Sequence, residues 1–418
     1  MFPGLSASAG SAPKESRSLY CLITAALLSP LFLILTFSGS SSVRFLVSRP
    51  VSSAPKLLLF DPNDPSLPPP PALAYLISGS NGDVSRLLRL LSAVYHPKNH
   101  YLLHLDLTAS REQREQLALA VQGVPIYRAA RNVDVIGKAD FAYPRGSSAL
   151  AATLHGASLF LRFAPKWDWF INLSAEDYPL VTQDDLLHIL AFLPRNLNLV
   201  QHTSNLTARE SRRVRLVTVD PGFYLSARSD MFYATQKREL PNLYKLFTGS
   251  TSVILSRKFV EFCILGVENL PRILLMYFAN TPSSDRNYFH TVLCNSPDFN
   301  NTTINHNMHF ASWDDPPKQN PRILGLKDLN AMLESGAAFG TRFPENDPVL
   351  DRIDQEVLNR SQGRVVPGGW CLGGEDDQCA QWGDPNVLRP GPGAKRLAKS
   401  IVELFSNGTL MYNHCIFQ

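Results

Sequence analysis

Hydrophobic and polar positions after residue 72 follow two alternating periods. A short apolar run, Leu73 to Ser78, ends in a Gly/Asn turn, and Val84 to Val94 then repeats its apolar side chains at helical spacing. A second apolar run, Tyr101 to Leu107, follows the helix and carries an acid near its end. Parallel sheets with right-handed crossovers are built from this order of strand, helix and strand. The pattern therefore predicts an α/β fold.

Later segments repeat the alternation. Trp167 to Ser174 is typical of a buried strand, and a polar loop follows its carboxyl end. Asp184 is expected to cap a helix that runs from Asp185 to Phe192. Ser250 to Ser256 and Arg257 to Leu265 predict a further strand and helix.

The rest of the chain divides by composition. Tyr20 to Phe37 is an uncharged apolar run as long as a short membrane span, so we predict a transmembrane signal anchor there and a cytosolic tail at 1–19. A cleaved signal peptide is the alternative. Residues 38–71 are rich in Ser and then in Pro, which predicts an extended stem. We expect the α/β domain over 72–346 and a cysteine-containing extension over 347–418 that packs on it.

Acceptor triplets for N-glycosylation all follow the apolar run, as the lumenal domain of a secretory-pathway protein allows. The triplet at Asn172 lies in a strand-like stretch and is expected to remain unmodified. We expect modification of the other five: Asn205, Asn300, Asn301, Asn359 and Asn407. The anchor and the triplets together predict a single-pass type II protein with a lumenal domain.

Cysteines give a second indication of compartment. Cys21 lies within the predicted anchor, and five others follow it: Cys263, Cys294, Cys371, Cys379 and Cys415. In an oxidising lumen at most two bridges close among these five, and one thiol remains. Cys371 and Cys379 flank an acidic turn, so a local disulfide is the first expectation. Their spacing, without a paired His, is a poor zinc pattern.

Composition narrows the class of protein. The 418 residues are 44% hydrophobic and 18% charged, which argues against wholesale disorder and against a coiled coil. The formal charge of +4 is too small for a dedicated nucleic-acid binder, and no nucleic-acid-binding motif is present. A mild basic excess suits an anionic small ligand.

Three acids lie where α/β sheets usually bind their ligands. Ligands of α/β sheets bind at the carboxyl ends of the strands. Asp106 lies at the end of the second predicted strand, and Glu176 and Asp177 follow the next. A turn or helix-capping role is the alternative for each of them.

Motifs of several other chemistries are absent from the sequence, which has no G-x-S-x-G, P-loop, H-E-x-x-H or complete G-x-G-x-x-G. His306 and His309 form a pair without a third ligand, which is more typical of a structural pair than of a metal site. The sequence also lacks D-x-D, the short acidic motif by which many nucleotide-sugar transferases hold a divalent ion on the diphosphate. The adjacent acids Asp184 and Asp185 do not replace it, because their side chains would diverge on a strand. Protein cations would therefore have to neutralise a bound diphosphate.

Several blocks of sequence in a fixed order are far more specific than any single motif. They are LAYLISGSNGDVSRLLRLLSAVYHPKNHYLLHLD, WDWFINLSAEDYPL, LFTGSTSVILSRKFV, YFHTVLCNS, SWDDPP and GLKDLNAMLESGAAFGTRF. Over about residues 72–350 the chain resembles the core-2/I-branching β-1,6-N-acetylglucosaminyltransferase family. YFHTVLCNS, SWDDPP and the C-terminal GGWC and WGDPNVLRPGPGAKRL are most similar to its plant branch, which includes arabinogalactan β-glucuronosyltransferases.

This resemblance implies a Golgi type II membrane protein with a GT-A-like fold. It also implies a UDP-sugar donor, a glycan or proteoglycan acceptor, Golgi enzyme complexes as partners, and an inverting mechanism that needs no metal and no cofactor. The missing D-x-D agrees with that last implication.

The resemblance further implies roles for individual residues. Three would cradle the nucleoside: Ile77, Ser78 and Asp106. Arg342 would face the diphosphate, together with either Arg322 or Lys318. Trp313 would be the aromatic platform under the acceptor sugar, and four other residues would line the acceptor pocket: Gly249, Ser250, Glu176 and Asp177.

One position departs from the family pattern. The family has a catalytic Glu in an S-P-D-E or S-P-E-G segment, and Arg286 occupies that position here. Transfer needs a carboxylate that takes the proton from the acceptor hydroxyl. Asp285, one residue earlier, is the predicted base.

An arginine cluster follows the Asn205 triplet: Arg209, Arg212, Arg213 and Arg215. It would suit an acidic polysaccharide or the uronate of a donor, and a solvated loop is the alternative. The leading hypothesis is a Golgi glycosyltransferase that adds a β-1,6 branch of glucuronate or N-acetylglucosamine to a glycan such as arabinogalactan. A catalytically weak paralogue that binds glycans or partner enzymes is the alternative, because of Arg286.

Overall fold

The structure is a computed structural model that describes residues 68–164, 166–224, 230–316, 318, 320–361, 363–374, 377–406 and 415. The predicted tail and anchor, most of the predicted stem, and Asn407 lie outside these residues. Within the described part, no helix combines the length and the apolar character needed to cross a bilayer.

Strands and helices alternate along most of the described chain. The strands are β1 (Leu73–Gly79), β2 (His100–Leu105), β3 (Val133–Val135), β4 (Trp169–Ser174), β5 (Asp177–Pro179), β6 (Asn198–Leu199), β7 (His202–Thr203), β8 (Leu216–Val219), β9 (Phe232–Lys237), β10 (Thr248–Gly249), β11 (Ile254–Ser256), β12 (Thr303–Ile304), β13 (His309–Phe310) and β14 (Phe339–Thr341). The helices are α1 (Val84–Val94), α2 (Arg111–Gly123), α3 (Pro125–Ala130), α4 (Ser148–Phe163), α5 (Gln183–Ala191), α6 (Ala208–Val214), α7 (Arg257–Ile264), α8 (Asn269–Phe278), α9 (Tyr288–Asn295), α10 (Leu329–Glu334), α11 (Pro348–Glu356) and α12 (Pro392–Ser406).

The central sheet has seven strands in the order β12-β6-β11-β4-β1-β2-β3. Strand β1 pairs in parallel with β2 and with β4, whereas β11 is antiparallel to β4. The register places Ile77 beside both Leu103 and Leu173, so the carboxyl ends of β1, β2 and β4 meet at one edge. The predicted α/β fold is confirmed.

Each face of the sheet is covered by a hydrophobic core, because successive side chains of a strand point to opposite faces. Tyr75 and Ile77 of β1 pack in one core with α1 and α5. Leu76 packs in the other core with α4 and α9. Gly156 of α4 approaches Leu76 so closely that an added Cβ would lie 2.7 Å from its side chain. The two cores together fix the position of the sheet edge at which the carboxyl ends of β1, β2 and β4 meet.

Local sequence rules succeed for α1 and need correction elsewhere. Helix α1 has the predicted bounds, and α7 ends one residue before the predicted Leu265. The strand predicted over Ser250–Ser256 is limited to β11, and the two residues before the predicted range, Thr248 and Gly249, form a separate strand that pairs with β7. The second predicted strand ends at Leu105, two residues early.

The cap predicted for α5 is also wrong. Thr182 is the N-cap, since its Oγ1 accepts a hydrogen bond from the main-chain N of Asp185 at 3.1 Å. Asp184 instead turns inward, where its Oδ2 accepts from the main-chain N of Gly369 at 2.7 Å and of Arg389 at 2.6 Å. Asp185 also contacts this segment, since its Oδ1 accepts from the main-chain N of Gly391 at 2.6 Å, so both adjacent acids are engaged with the C-terminal segment.

Two disulfides tie down the C-terminal segment. Cys371–Cys379 closes the local loop that the sequence predicts, and that expectation is confirmed. Cys294–Cys415 joins the end of α9 to a residue near the C-terminus. Cys263 is the free cysteine of the described residues.

Candidate active site

A cleft of about 1510 Å³ opens at the carboxyl ends of β1, β2 and β4. Nine of the predicted site residues line it: Ser78, Asp106, Glu176, Gly249, Ser250, Asp285, Trp313, Lys318 and Arg342. Five further residues line the cleft although the sequence assigned them no role in a site: Asp83, Arg86, His104, Arg145 and Tyr233. The fold therefore brings both the predicted donor residues and the predicted acceptor residues to one surface.

Three predicted site residues do not line this cleft. Ile77 is wholly buried in the core of the sheet. Arg322 donates two hydrogen bonds to the carboxylate of Asp328, at 2.9 and 2.5 Å. Asp177 is 3% exposed, and its Oδ2 accepts from the main-chain N of Ser174 at 2.7 Å. The side chains of these three residues contact the protein itself, so the structure does not place them on the surface of the cleft.

The loop after β1 is built around Asp83. Its Oδ2 accepts from the main-chain N and the Oγ of Ser80, at 2.8 and 3.0 Å, and its Oδ1 pairs with Arg86 at 3.1 Å. Asp106 lines the same region, and its Oδ1 accepts from the main-chain N of Thr108 at 2.8 Å. Asp106 therefore has both the turn role and the cleft position that the sequence left as alternatives.

Arg342 follows β14 with a left-handed backbone (φ 76°), which residues other than Gly rarely adopt. Its Nη1 donates to the carbonyl of Pro321 at 2.8 Å, and its Nε lies 3.7 Å from Oε2 of Glu176. Backbone strain of this kind is concentrated at functional sites. Lys318 lines the same cleft and pairs with Asp314 at 3.0 Å. Of the two alternatives for the second cation, only Lys318 faces the cleft.

Asp285 lies on a 3-10 turn, Ser284–Arg286, directly before α9. Burial raises the pKa of its carboxyl to about 6, against the opposing effect of the nearby Arg286 and Arg213. Both Asp285 and Arg286 line the cleft, although neighbours in a regular α-helix point about 100° apart. A carboxylate whose pKa lies just below neutral is suited to accept a proton.

The wall beside Asp285 is formed at Gly249 and Ser250. A Cβ added to Gly249 would lie 1.8 Å from the carbonyl O of Gln201 and 2.8 Å from the ring of His290. Burial lowers the pKa of His290 to about 3, so its ring is neutral at physiological pH. This wall is therefore tightly packed and uncharged. Trp313 also lines the cleft and is 46% exposed, which leaves an aromatic face available to a sugar.

Three of the four clustered arginines line the cleft, namely Arg209, Arg212 and Arg213, whereas Arg215 does not. They belong to α6, whose N-cap Thr207 forms a capping box with Glu210. The alternative prediction, that these arginines lie on a solvated loop, is therefore wrong for these three: they lie on a helix at the edge of the cleft. Arg213 also donates from Nη2 to Oγ1 of Thr248 at 3.2 Å.

Potential metal ligands meet at one place among the described residues: His202, Cys294 and Cys415. The two cysteines are joined in a disulfide, so this group does not offer three ligands. His306 and His309 make local contacts: Nδ1 of His306 accepts from the main-chain N of Met308 at 3.1 Å, and Nδ1 of His309 lies 2.8 Å from the carbonyl O of Asn307.

The glycosylation triplets differ in accessibility. Asn205, Asn301 and Asn359 are exposed, and Asn300 is half-buried. Asn172 is engaged with the loop before β11: its Nδ2 donates to the carbonyl of Thr251 at 2.9 Å. Its amide is already used by the fold, which agrees with the expectation that it stays unmodified.

Comparison with known proteins shows to which family this chain belongs. The family model described as Core-2/I-Branching enzyme matches residues 73–333. The chain belongs to this family. It is 50% identical to the β-glucuronosyltransferase GlcAT14A of Arabidopsis thaliana over 92% of this chain and 89% of that protein. Identity to GlcAT14B of the same plant is 51%, over 82% and 80% of the two chains, and to GlcAT14C it is 45%, over 82% and 85%.

The resemblance drawn from the sequence blocks is thereby confirmed. This Core-2/I-Branching enzyme is a glycosyltransferase, whose substrates are a UDP-sugar donor and a glycan acceptor. The matched stretch contains Asp285, Trp313, Lys318 and the arginines of α6, whereas Arg342 lies beyond its end.

Proposed function

We propose that this enzyme transfers glucuronate from UDP-glucuronate to a glycan such as arabinogalactan, with inversion at the anomeric carbon and without a metal ion. Support for the donor comes from the three relatives described above, each of which is named a β-glucuronosyltransferase. A GT-A-like fold, with the donor at the carboxyl ends of the parallel strands, is part of this proposal. The β-1,6 linkage remains an expectation from the family resemblance.

The observation that carries the mechanism is the presence of Asp285, Arg342 and Lys318 in one cleft. In the proposed reaction the oxygen of an acceptor hydroxyl attacks the anomeric carbon of the donor. The bond from that carbon to the diphosphate breaks, and UDP leaves from the opposite side, which inverts the configuration. Asp285 receives the hydroxyl proton as the new bond forms.

Charge develops on the diphosphate as this bond breaks, and preorganised cations stabilise it best. Arg342 and Lys318 are the proposed partners, since both line the cleft; within the described part of the chain, Lys318 pairs with Asp314 and Arg342 with Glu176. On the acceptor side, Trp313 would stack under the sugar and Glu176 would accept hydrogen bonds from its hydroxyls. Ser78 and Asp106 would contact the nucleoside.

A donor screen tests the proposal. The full-length enzyme, in detergent, would be incubated with UDP-glucuronate, UDP-N-acetylglucosamine, UDP-xylose or UDP-galactose and an arabinogalactan freed of terminal glucuronate. We expect transfer from UDP-glucuronate to exceed transfer from each neutral donor by at least about tenfold, as one well-placed charged contact allows. NMR of the product should show a β linkage. Preference for UDP-N-acetylglucosamine would contradict the donor assignment.

The second candidate is a catalytically weak paralogue, which the arginine at position 286 favours. In that case the wild type would bind UDP yet transfer none of the four sugars. The variant Arg286→Glu would then be expected to restore turnover, because it places a carboxylate at the position of the family's base.

Membrane topology is a separate proposal. The span-length apolar run at Tyr20 to Phe37 precedes every glycosylation triplet, which supports a type II Golgi protein with residues 1–19 in the cytosol. Protease added to sealed Golgi vesicles should remove only a tag placed at the N-terminus. A tag at the C-terminus serves as the matched control, and its loss from intact vesicles would refute the topology.

A further inference from the structure

One wall of the cleft carries more positive than negative charge. This wall is formed by α6, the turn before α9 and the segment at Arg145, whose carbonyl O accepts from the main-chain N of Ser283 at 3.0 Å. Five arginines from these segments line the cleft: Arg145, Arg209, Arg212, Arg213 and Arg286. The carboxylates beside them are Glu210 and Asp285. Glu210 is already engaged, since its Oε2 accepts from the main-chain N and Oγ1 of Thr207 at 2.9 and 2.8 Å. The carboxylate of Asp285 lies near two of the five guanidinium groups, those of Arg286 and Arg213.

Arg213 lines this wall, and no carboxylate of the described residues lies within ion-pairing distance of its guanidinium. Its Nε is enclosed by protein with no hydrogen-bond partner. Its Nη2 contacts two neutral oxygens, Oγ1 of Thr248 at 3.2 Å and Oδ1 of Asn287 at 3.4 Å. Burial, followed by the nearby Arg286, lowers the pKa of its guanidinium, against the smaller opposing effects of Glu210 and Asp285.

No ion pair of the described residues includes any of the five arginines. A half-buried guanidinium without an ion-pair partner is costly to the fold, so proteins usually pair such groups. At Arg213 this cost is retained at the surface of a substrate cleft. The anion that would offset it is therefore expected from the substrate.

The position of this unpaired charge identifies which part of a substrate it meets. Arg286 directly follows Asp285, and Asn287 links the same turn to Arg213. Asp285, as the proposed base, lies at the acceptor hydroxyl and hence next to the anomeric carbon of the donor. In a hexuronate the carboxylate is attached to the ring carbon on the other side of the ring oxygen, so it lies within reach of a group beside the anomeric carbon.

We propose that Arg213 and Arg286 form a subsite that binds a uronate carboxylate, and that this carboxylate is the one on the sugar being transferred. This inference rests on the proposed glucuronosyl transfer. The guanidinium fork matches the two oxygens of a carboxylate and forms charge-assisted hydrogen bonds with it. A neutral sugar presents a hydroxymethyl group there and leaves Arg213 unpaired, so the subsite selects uronate over neutral sugars.

The test measures the Kd values of UDP-glucuronate, UDP-glucose and UDP by calorimetry, with the full-length enzyme and without acceptor. Arg213→Gln is expected to weaken UDP-glucuronate by about 10- to 100-fold, the range for a lost charge-assisted contact, and to leave UDP-glucose and UDP nearly unchanged. Arg286→Gln should act in the same direction. Arg215→Gln is the matched control, because Arg215 belongs to the same cluster but does not line the cleft, and it should change none of the three values.

The melting temperature of each variant shows whether it is folded. Arg213→Lys keeps the positive charge but lacks the guanidinium fork, so it should lose part of the selectivity for UDP-glucuronate. If Arg213 variants do not fold, Arg286→Gln alone decides the question. An equal loss for all three ligands, or no loss, would overturn the inference. So would a loss seen only in transfer assays with a uronate-containing acceptor and not with a neutral one, because the carboxylate would then belong to the acceptor. Selective binding of UDP-glucuronate without transfer would refute the proposed function and leave the subsite standing.

Discussion

Asp285→Asn is expected to lower the rate of transfer by roughly 10²–10⁴-fold, the usual contribution of a general base. The amide keeps the shape of the side chain but takes no proton from the acceptor hydroxyl. The Kd for UDP should stay nearly unchanged, because the base contacts the acceptor and not the nucleotide. The measurement is kcat with a saturating donor, together with UDP affinity by calorimetry.

The pH profile gives an independent readout of the same residue. In the wild type, kcat/KM should fall as the pH drops through about 6, where the carboxyl of Asp285 becomes protonated. Asp285→Asn should lack this acid limb. The folded protein holds the proton of Asp285 more tightly than the unfolded chain, whose Asp pKa is about 3.9, so this residue destabilises the fold above pH 6. The Asn variant should therefore be at least as stable as the wild type at pH 7.

Asp298→Asn is a suitable control, since Asp298 is an exposed carboxylate outside the cleft. It should leave both the rate and the acid limb unchanged. Robust transfer by Asp285→Asn would contradict the assignment and move the search for a base to Glu176, the other predicted carboxylate that is exposed in the cleft.

Arg342→Ala is expected to lower kcat by roughly 10²–10³-fold, as the loss of one preorganised stabilising group does in other enzymes. The effect on kcat should exceed that on acceptor KM, because the interaction strengthens as the bond to the diphosphate breaks. Wild-type activity should also survive a chelator, since the proposed charge partners are side chains. Steady-state kinetics with and without chelator test both statements.

Arg322→Ala is the matched control for Arg342. Arg322 is bound to Asp328 outside the cleft, so its loss should affect stability more than kcat. Arg342→Lys keeps a cation at the same backbone position and should retain part of the activity. Strict dependence on Mn²⁺, or a larger kcat effect at Arg322 than at Arg342, would refute the assignment of the cations.

Much of the fold was determined by local sequence. The apolar runs of β1 and β2 and the helical spacing of Val84–Val94 are properties of neighbouring residues, so the strand–helix–strand unit could be predicted from them. Its parallel pairing follows from the connection through a helix. The same reasoning placed Asp106 at the carboxyl edge of the sheet, because the end of a strand can be seen in the sequence. The disulfide between Cys371 and Cys379 was also local.

Choices between similar residues were decided only by tertiary contacts. Lys318 and Arg322 are both cations near the same motif, and the fold separates them because Asp328 binds Arg322. Arg213 lies within α6 and lines the cleft, whereas Arg215, two residues later, caps the end of that helix, is exposed and does not line the cleft. The cap expected at Asp184 was lost for the same reason, since the main chain of a distant segment takes its carboxylate.

The pKa of Asp285 belongs to this second group. Its value near 6 arises from burial, with Arg213 and Arg286 acting against it, and Arg213 belongs to an element far away along the chain. Local sequence determined that a carboxylate stands beside the position at which the family resemblance predicts the base. Only tertiary packing decided that this carboxylate is desolvated and that its pKa lies near 6, because desolvation depends on every group that surrounds a charge.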